Sequence, residues 1–255
     1  MAKIHVLLKK EELDGERLEN KIVIVLDILF ATSSIVAALA HGATQVIPAR
    51  DGVAALAEAE KHPAGSYVLS GELNAETLEG FAHPTPLALL AENLVARTLI
   101  YSTTNGTVAL GKARGALHVY AASLQNGEAA VSQVTLRHPG STVLIVCSGS
   151  ADNFNLEDFY GAGYLVSLFR KTGRETNLEH EFSDAALAAE ILHDSIDAET
   201  CLRQARVGRM MLARGLADEI RFAAQKNVYG IVPHLVDGRL RGLSEYQRTA
   251  ASATE

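Results

Sequence analysis

Short runs of β-branched and other apolar residues alternate with Ala- and Leu-rich segments along most of this chain. The run at 22–26 contains no polar residue and stops at Asp27. Strands that are apolar on both faces are typical of parallel sheets with helices on either side. The alternation therefore predicts an α/β fold, in which helices form layers on both faces of a mostly parallel or mixed central sheet. The predicted strands lie at 3–8, 21–27, 45–49, 67–70, 99–102, 117–121, 142–147 and 228–232.

The segments between the predicted strands carry apolar residues at helical spacing. Asp237-Gly238 is a typical two-residue turn, which predicts a hairpin late in the chain. We expect a single domain over 1–255, with the helix-rich stretch 155–218 as a candidate helical subdomain and a frayed tail after Tyr246. The predicted helices lie at 32–41, 52–61, 86–95, 155–171, 184–193, 199–213 and 216–225.

The charge balance bears on the kind of partner. The chain has 30 acidic and 23 basic residues, a net charge of −7 and no block of Lys or Arg, whereas nucleic-acid binding requires a basic surface. No apolar run approaches the ~20 residues that cross a bilayer, and the first residues lack the apolar stretch of a signal peptide. Two distant cysteines, Cys147 and Cys201, are typical of free thiols in a cytosolic protein. We therefore expect a cytoplasmic protein, a candidate homo-oligomer, that binds a small molecule rather than nucleic acid or a membrane.

Polar residues follow four of the predicted strands at the point where each strand ends. Ligands of open α/β sheets bind beyond the carboxyl ends of the strands, so these junctions are the candidate site. At the first junction, Asp27 ends a strand and Thr32-Ser33 open a helix. A carboxylate there can hold Mg²⁺, and hydroxyl groups at a helix start can bind a phosphoryl group. The alternative is that Asp27 caps a turn and the hydroxyl groups cap the helix.

The second and third junctions add a carboxylate and a cluster of hydroxyl groups. Glu72 follows the strand 67–70 and is a candidate second metal ligand, or else a solvated loop acid. The segment 102–107 reads Ser-Thr-Thr-Asn-Gly-Thr, and it offers an anion hydroxyl, amide and backbone N–H donors without net charge. Its alternative reading is an Asn-Gly turn followed by a helix cap.

The fourth junction begins at Cys147. In thiol phosphatases an arginine follows the nucleophilic cysteine by six residues, but Asn153 stands there in this chain. We therefore predict that Cys147 is buried and dispensable; a thiol phosphatase stays open as an alternative, and it would be active in EDTA. Glu157 and Asp158 favour the dipole of the next helix, and one of them could bind a metal. The motifs G-x-G-x-x-G, G-x-x-x-x-G-K-[ST] and H-E-x-x-H do not occur in the sequence, which argues against dinucleotide, NTPase and zinc-protease functions.

Taken together, the junctions resemble those of the 2-phosphosulfolactate phosphatase family, Mg²⁺-dependent phosphomonoesterases associated with coenzyme M biosynthesis. The resemblance covers nearly the whole chain. The matching segments are 24–27 with 31–33, 71–72, 102–107, and Cys147-x-Gly with Phe154, 156–158 and 162–163, together with Asn126 and 215–218 before Val232-Pro233.

This resemblance implies a layered α/β phosphatase that hydrolyses a small phosphorylated 2-hydroxy acid with the help of Mg²⁺. The implied metal ligands are Asp27, Glu72 and Asp158, and the implied catalytic residues are Asp27, Glu72 and Asn105. The implied substrate-binding residues are Thr32, Ser33, Thr103, Thr104, Gly106, Thr107 and Asn126.

Three departures from the family pattern bear on the substrate. Phe30 and Leu73 stand where the pattern has arginine, and Ala-His-Pro-Thr-Pro at 82–86 replaces an Asp-x-Gly-Asn-Ser-Pro stretch. Losing two guanidinium groups weakens the binding of a substrate that carries phosphate, carboxylate and sulfonate. We therefore predict a different small phosphate ester as the substrate. The alternative function is a catalytically silent binding protein for a phosphorylated or carboxylated metabolite.

Overall fold

The computed structural model describes residues 2–243, which form eleven strands in one mixed sheet and ten α-helices. The strands are β1 (Ala2–Leu7), β2 (Lys21–Leu26), β3 (Gln45–Ala49), β4 (Tyr67–Leu73), β5 (Glu76–Thr77), β6 (Thr98–Ser102), β7 (His118–Ala122), β8 (Thr142–Cys147), β9 (His180–Phe182), β10 (Val232–Val236) and β11 (Arg239–Leu243). The helices are α1 (Ala31–Ala40), α2 (Gly52–Ala59), α3 (Pro86–Leu90), α4 (Gly106–Lys112), α5 (Gly127–Arg137), α6 (Leu156–Thr176), α7 (Asp184–Ser195), α8 (Ala198–Gln204), α9 (Arg206–Ala213) and α10 (Ala217–Ala223). The predicted α/β class with a mostly parallel, mixed sheet is confirmed.

Two parallel blocks make up most of the sheet, and an antiparallel hairpin joins them. One block is β4, β6 and β3, and the other is β7, β2, β8, β1 and β9. The hairpin of β10 and β11 turns at Asp237-Gly238, as predicted, and lies between the blocks. Its strands pair antiparallel with both neighbours, through His234 with Tyr120 and through Leu240 with Val46. The last two strands of the described chain therefore hold the middle of the sheet together.

The sheet curves so strongly that strand ends from the two blocks come together. Five strand-to-strand steps separate β2 from β6, which corresponds to about 24 Å in a flat sheet. Nevertheless, a Cβ added to Gly106, just after β6, would lie 2.6 Å from a carboxylate oxygen of Asp27, just after β2. The loops at these carboxyl ends therefore meet at one place.

Helix α1 lies between the two blocks, on the inside of this curve. It contacts β2 and β7 on one side, β3 on the other and both strands of the hairpin. All of its residues up to Leu39 are buried, and its hydroxyl groups bond to nearby backbone. Ser33 Oγ donates to the Ile28 carbonyl (2.6 Å) and Ser34 Oγ to the Pro84 carbonyl (2.7 Å). The Ser/Thr run therefore satisfies buried polar groups inside the fold.

The helix-rich stretch 155–218 shares a hydrophobic core with the sheet. Helix α6 packs against β8, β2 and α7, and a Cβ on Gly163 would overlap the Ala189 carbonyl, so α6 and α7 cross closely. One hydrophobic cluster includes residues of the strands and of these helices, among them Ile24, Ile145, Leu165, Leu202 and Met211. None of the helices within residues 2–243 has the length and apolarity needed to cross a bilayer.

Some predicted elements are wrong in extent. The helix predicted at 199–213 is two helices, α8 and α9, because the backbone of Ala205 is extended (ψ 151°). The strand predicted at 228–232 begins only at Val232, and the helix predicted at 86–95 ends at Leu90. Strand β9 is absent from the prediction because three residues are too few to show a period. The tail predicted to fray after Tyr246 lies outside the described residues.

Candidate active site

A cavity of about 260 Å³ lies where the strand-end loops of the two blocks meet. All four polar junctions contribute to its wall: Asp27 after β2, Glu72 at the end of β4, Thr104 and Asn105 after β6, and the segment 150–157 after β8. Helix α9 closes the remaining side. The cavity thus brings together residues that are far apart in sequence, and Asp27, Glu72 and Asn105 share it as the junction argument predicts.

Asp27 is buried at the base of this cavity. The hydroxyl of Thr32 fixes its backbone, accepting from the Asp27 N–H (2.9 Å) and donating to the Asp27 carbonyl (3.0 Å). Burial, and then the negative charge of Glu72, raise the pKa of Asp27 to about 7, although N–H donors from Ala31 and Gly106 act in the opposite direction. The close approach of Gly106 leaves no room for a side chain there. A carboxylate held in this way is stabilised by any cation that enters the cavity.

Glu72 ties the β4–β5 hairpin to the loop after β6. Its Oε1 accepts from the Thr104 N–H (2.5 Å), and its Oε2 accepts from the Thr104 hydroxyl (3.0 Å) and the Ala75 N–H (2.6 Å). Asn74 and Ala75 form the hairpin tip with positive φ values of 55° and 64°, an unfavourable conformation for alanine that these bonds hold in place. Three bonds occupy three of the four acceptor positions of a carboxylate, so one remains for a ligand.

Glu157, in the first turn of α6, supplies the third carboxylate of the cavity. Its Oε2 is buried and has no hydrogen-bond partner among the described residues. Burial, together with the charge of Asp27, raises the pKa of Glu157 to about 7. An unpartnered buried carboxylate oxygen is costly unless a ligand, a cation or a proton meets it.

Asp158, the other acidic residue of that turn, faces away from the cavity. Its two carboxylate oxygens accept from the backbone N–H groups of Ile28 (2.9 Å) and Gly149 (3.2 Å). It therefore braces the loops after β2 and β8. Of the two adjacent acids, the structure places Glu157 rather than Asp158 in the cavity wall.

Comparison with known proteins bears directly on this site. A sequence model of the 2-phosphosulpholactate phosphatase family matches residues 7–238. The chain belongs to this family. A probable 2-phosphosulfolactate phosphatase of Clostridium beijerinckii is 31% identical over 93% of this chain and 98% of its own length. A probable 2-phosphosulfolactate phosphatase of Carboxydothermus hydrogenoformans is 35% identical over 93% of this chain and 96% of its own length. The predicted family and the predicted enzyme class, a phosphoric monoester hydrolase, are confirmed.

Several residues that family resemblance implied as substrate ligands are turned inward in this 2-phosphosulfolactate phosphatase family member. Thr103 and Thr107 bond each other, each backbone N–H donating to the other hydroxyl (3.1 and 3.2 Å). Asn126 completes a capping box with Ser123, and its Nδ2 donates to the Ile231 carbonyl (2.9 Å). The cavity wall does not include these three residues, nor Thr32, Ser33 and Gly106. Their hydroxyl and amide groups bond to nearby backbone and fix the loops, although no side chain makes a capping hydrogen bond at the N-cap residues of α1 and α4, Phe30 and Asn105.

A buried lysine, Lys10, is a residue that sequence reasoning missed. Its side chain follows β1, and its Nζ donates to Asn105 Oδ1 (2.9 Å) and to the Ser148 carbonyl (3.2 Å) while pairing with Glu11 (2.9 Å). Lys10 is only 5% exposed. The rule that ligands bind beyond strand ends also applies to this segment after β1. However, the sequence Lys-Lys-Glu-Glu at 9–12 is typical of a solvated turn, so the sequence does not predict it as part of the site.

Cys147 is fully buried in the core, as predicted, and does not line the cavity. Burial, and then the charges of Asp158 and Glu157, hold the pKa of its thiol well above the usual range, so it is a poor nucleophile. We expect Cys147→Ala to keep kcat/KM within about threefold and to lower the free energy of unfolding by about 1 kcal/mol. Phosphate release and denaturant unfolding measure the two effects, with Cys201→Ala, also buried, as the matched control. A folded Cys147→Ala protein without turnover would contradict this expectation.

Proposed function

We propose that this chain is a Mg²⁺-dependent phosphatase that hydrolyses a small phosphorylated 2-hydroxy acid in the cytoplasm. The observation that carries the proposal is the meeting of three carboxylates, those of Asp27, Glu72 and Glu157, in the wall of one cavity at the strand ends. The names of the relatives support the reaction class. Two free, buried cysteines are compatible with the proposed location.

The donor set of the cavity fits Mg²⁺. Within residues 2–243, no three His, Cys, Asp or Glu side chains are placed to hold a metal by themselves, but Mg²⁺ commonly uses one or two carboxylates together with water and substrate phosphate. Asp27 and Glu72 offer two hard oxygen ligands whose mutual repulsion a divalent cation would relieve. Bound there, Mg²⁺ would neutralise phosphoryl oxygens and polarise the departing ester.

The other groups of the cavity suit the binding of phosphate. Because Lys10 donates to Asn105 Oδ1, the amide of Asn105 is oriented with its Nδ2 donor free to face the cavity that Asn105 lines. The N-terminus of the 21-residue helix α6 also faces the cavity through Asn155 and Glu157, and its partial positive charge favours an anion. Lys10 is therefore a positioning residue, whereas Asn105 contacts the phosphate.

In this proposal Glu157, which lines the cavity, accepts a proton from the attacking water. Its Oε2 has no partner, and its raised pKa suits a group that takes up a proton near neutral pH. Asp27 and Glu72 then serve as ligands, which divides the three carboxylates between two roles.

The direct test of the proposed function is phosphate release from phospholactate and phosphoglycolate, with Mg²⁺ and with EDTA. We expect turnover with Mg²⁺, its loss in EDTA and its recovery when Mg²⁺ is restored. Binding of these esters without hydrolysis would indicate the silent binding protein instead. Activity that persists in EDTA would overturn the dependence on Mg²⁺.

Replacing Lys10 tests the positioning of Asn105. We expect Lys10→Met to lower kcat about 10- to 100-fold, the effect of losing a charge-assisted hydrogen bond in the site. Lys9→Met is the matched control, because the Lys9 ammonium pairs with Asp152 at the surface (2.7 Å). Steady-state kinetics with phospholactate measure both variants, and unfolding curves establish that each is folded. Equal activity of the two variants would remove Lys10 from the mechanism.

A further inference from the structure

The wall of the cavity is chemically uneven. The carboxylates of Asp27, Glu72 and Glu157 occupy one part, and apolar side chains of Phe30, Val207 and Met210 occupy another. Among the described residues that line the cavity, the only basic one is Arg206.

Arg206 stands at the start of α9, where the extended backbone at Ala205 separates α8 from α9. Its guanidinium makes a long hydrogen bond, 3.5 Å from Nη2 to Asn155 Oδ1, and its charge lowers the pKa of Glu157, so its field reaches the carboxylates. Other arginines of this region are held elsewhere: Arg203 by Glu199 (2.8 Å) and Arg209 by the Gln204 carbonyl. Arg206 is exposed at the cavity, with donors that a ligand can use.

We infer that Arg206 is the specificity residue of this site and pairs with one anionic group on the non-reacting end of the substrate. This inference rests on the proposed function. The phosphate lies among the carboxylate-rich part of the cavity, and the carbon chain packs against Phe30, Val207 and Met210. A substrate with a single carboxylate fits this arrangement, whereas a second anionic group would lie against apolar residues or carboxylates, where desolvation and repulsion oppose it.

Non-hydrolysable phosphonates test the inference without turnover. Methylphosphonate has no carboxylate, phosphonoacetate has one and phosphonosuccinate has two. In the presence of Mg²⁺, we expect calorimetry to show the tightest binding for phosphonoacetate. Arg206→Gln should weaken phosphonoacetate binding about 10- to 100-fold and leave methylphosphonate binding unchanged. Arg209→Gln, in the same helix, should change neither.

Two binding results would overturn the assignment. Equal weakening of methylphosphonate and phosphonoacetate by Arg206→Gln would mean that Arg206 acts on the phosphoryl group or on the fold. Tighter binding of phosphonosuccinate than of phosphonoacetate by the unchanged protein would mean that the site accepts a second anion.

Turnover gives an independent readout. We expect Arg206→Gln to lower kcat/KM for phospholactate about 10- to 100-fold, with kcat/KM for ethyl phosphate nearly unchanged. Arg206→Glu should shift the preference towards phosphoethanolamine, whose end group is cationic; no shift would count against the pairing. Hydrolysis of phospholactate that is insensitive to Arg206 would overturn this inference alone. Binding of phosphonoacetate that depends on Arg206, without hydrolysis of any ester, would overturn the proposed function alone.

Discussion

Asp27→Asn is expected to lower kcat at least 10²- to 10³-fold while the protein stays folded. An amide is a poor ligand for a hard cation that prefers carboxylate oxygen, and the loss corresponds to roughly 3–4 kcal/mol of transition-state stabilisation. The fold should persist because Asn fills the same space and removes a buried charge next to Glu72. Phosphate release from phospholactate over a range of Mg²⁺ concentrations measures the effect.

A buried carboxylate away from the cavity provides the control for this substitution. Glu219 accepts from the Thr85 hydroxyl (2.6 Å) and from the backbone N–H groups of Leu87 (2.9 Å) and Ala88 (3.1 Å) at the start of α3. Glu219→Gln should lower the free energy of unfolding by about 1–3 kcal/mol and change kcat only a few-fold. Comparable activity in Asp27→Asn and the unchanged protein would remove Asp27 from the metal site.

The free energy of unfolding of the metal-free protein should carry a penalty from Asp27 that grows with pH. The pKa of Asp27 is about 7 in the folded state, against 3.8 for an ordinary Asp, so between these values the folded state binds more protons than the unfolded state. The contribution of Asp27 to the free energy of unfolding is therefore most favourable below about pH 4, and it is lost as the pH rises through 7. We expect Asp27→Asn to match the unchanged protein below about pH 4 and to be about 2–4 kcal/mol more stable at pH 8 without metal.

The difference between variant and unchanged protein is the quantity to measure, because other groups titrate in the same range. Burial lowers the pKa of His138 and of His234 to about 4. Each histidine therefore adds to the free energy of unfolding as the pH rises from about 4 to 6.5. Subtracting the two denaturation curves at each pH removes these contributions. Added Mg²⁺ should close the gap at pH 8 by stabilising the charged site. A difference that does not change with pH, or that Mg²⁺ leaves unaltered, would contradict the assignment.

Much of the site could be predicted because strand ends are visible in sequence. The apolar run of β2, the polar residue at the end of β4 and the polar residues after β6 and β8 identify the loops that meet, and the strand-end rule needs no side-chain detail. The sequence does not predict which of two adjacent residues faces the cavity. Glu157 and Asp158 point about 100° apart on α6, and only the packing of that helix on the sheet decides which one lines the wall.

Contacts between distant segments account for the other missed features. Lys10 reaches Asn105 across 95 positions of sequence, and neither local composition nor period predicts such a pairing. The hydroxyl groups of Thr32 and Thr107 are equally compatible with capping and with ligand binding, because a hydroxyl at a helix start can accept from a backbone N–H or donate to an anion. The predicted single domain and candidate helical subdomain, the homo-oligomer and the cytoplasmic location stay predictions.

The position of the β10–β11 hairpin determines when the two blocks of the sheet can be joined during synthesis. Each parallel block can begin to pair while the chain leaves the ribosome, but the seam between the blocks comes from strands at 232–243, which emerge after every strand of both blocks. Bringing the blocks together then requires closing loops of more than a hundred residues, from Val46 to Leu240 and from Tyr120 to His234, and such non-local closure slows folding. Because the cavity draws residues from both blocks, the nascent chain has no complete site until that seam closes, and catalytic competence arises only after translation has passed the hairpin.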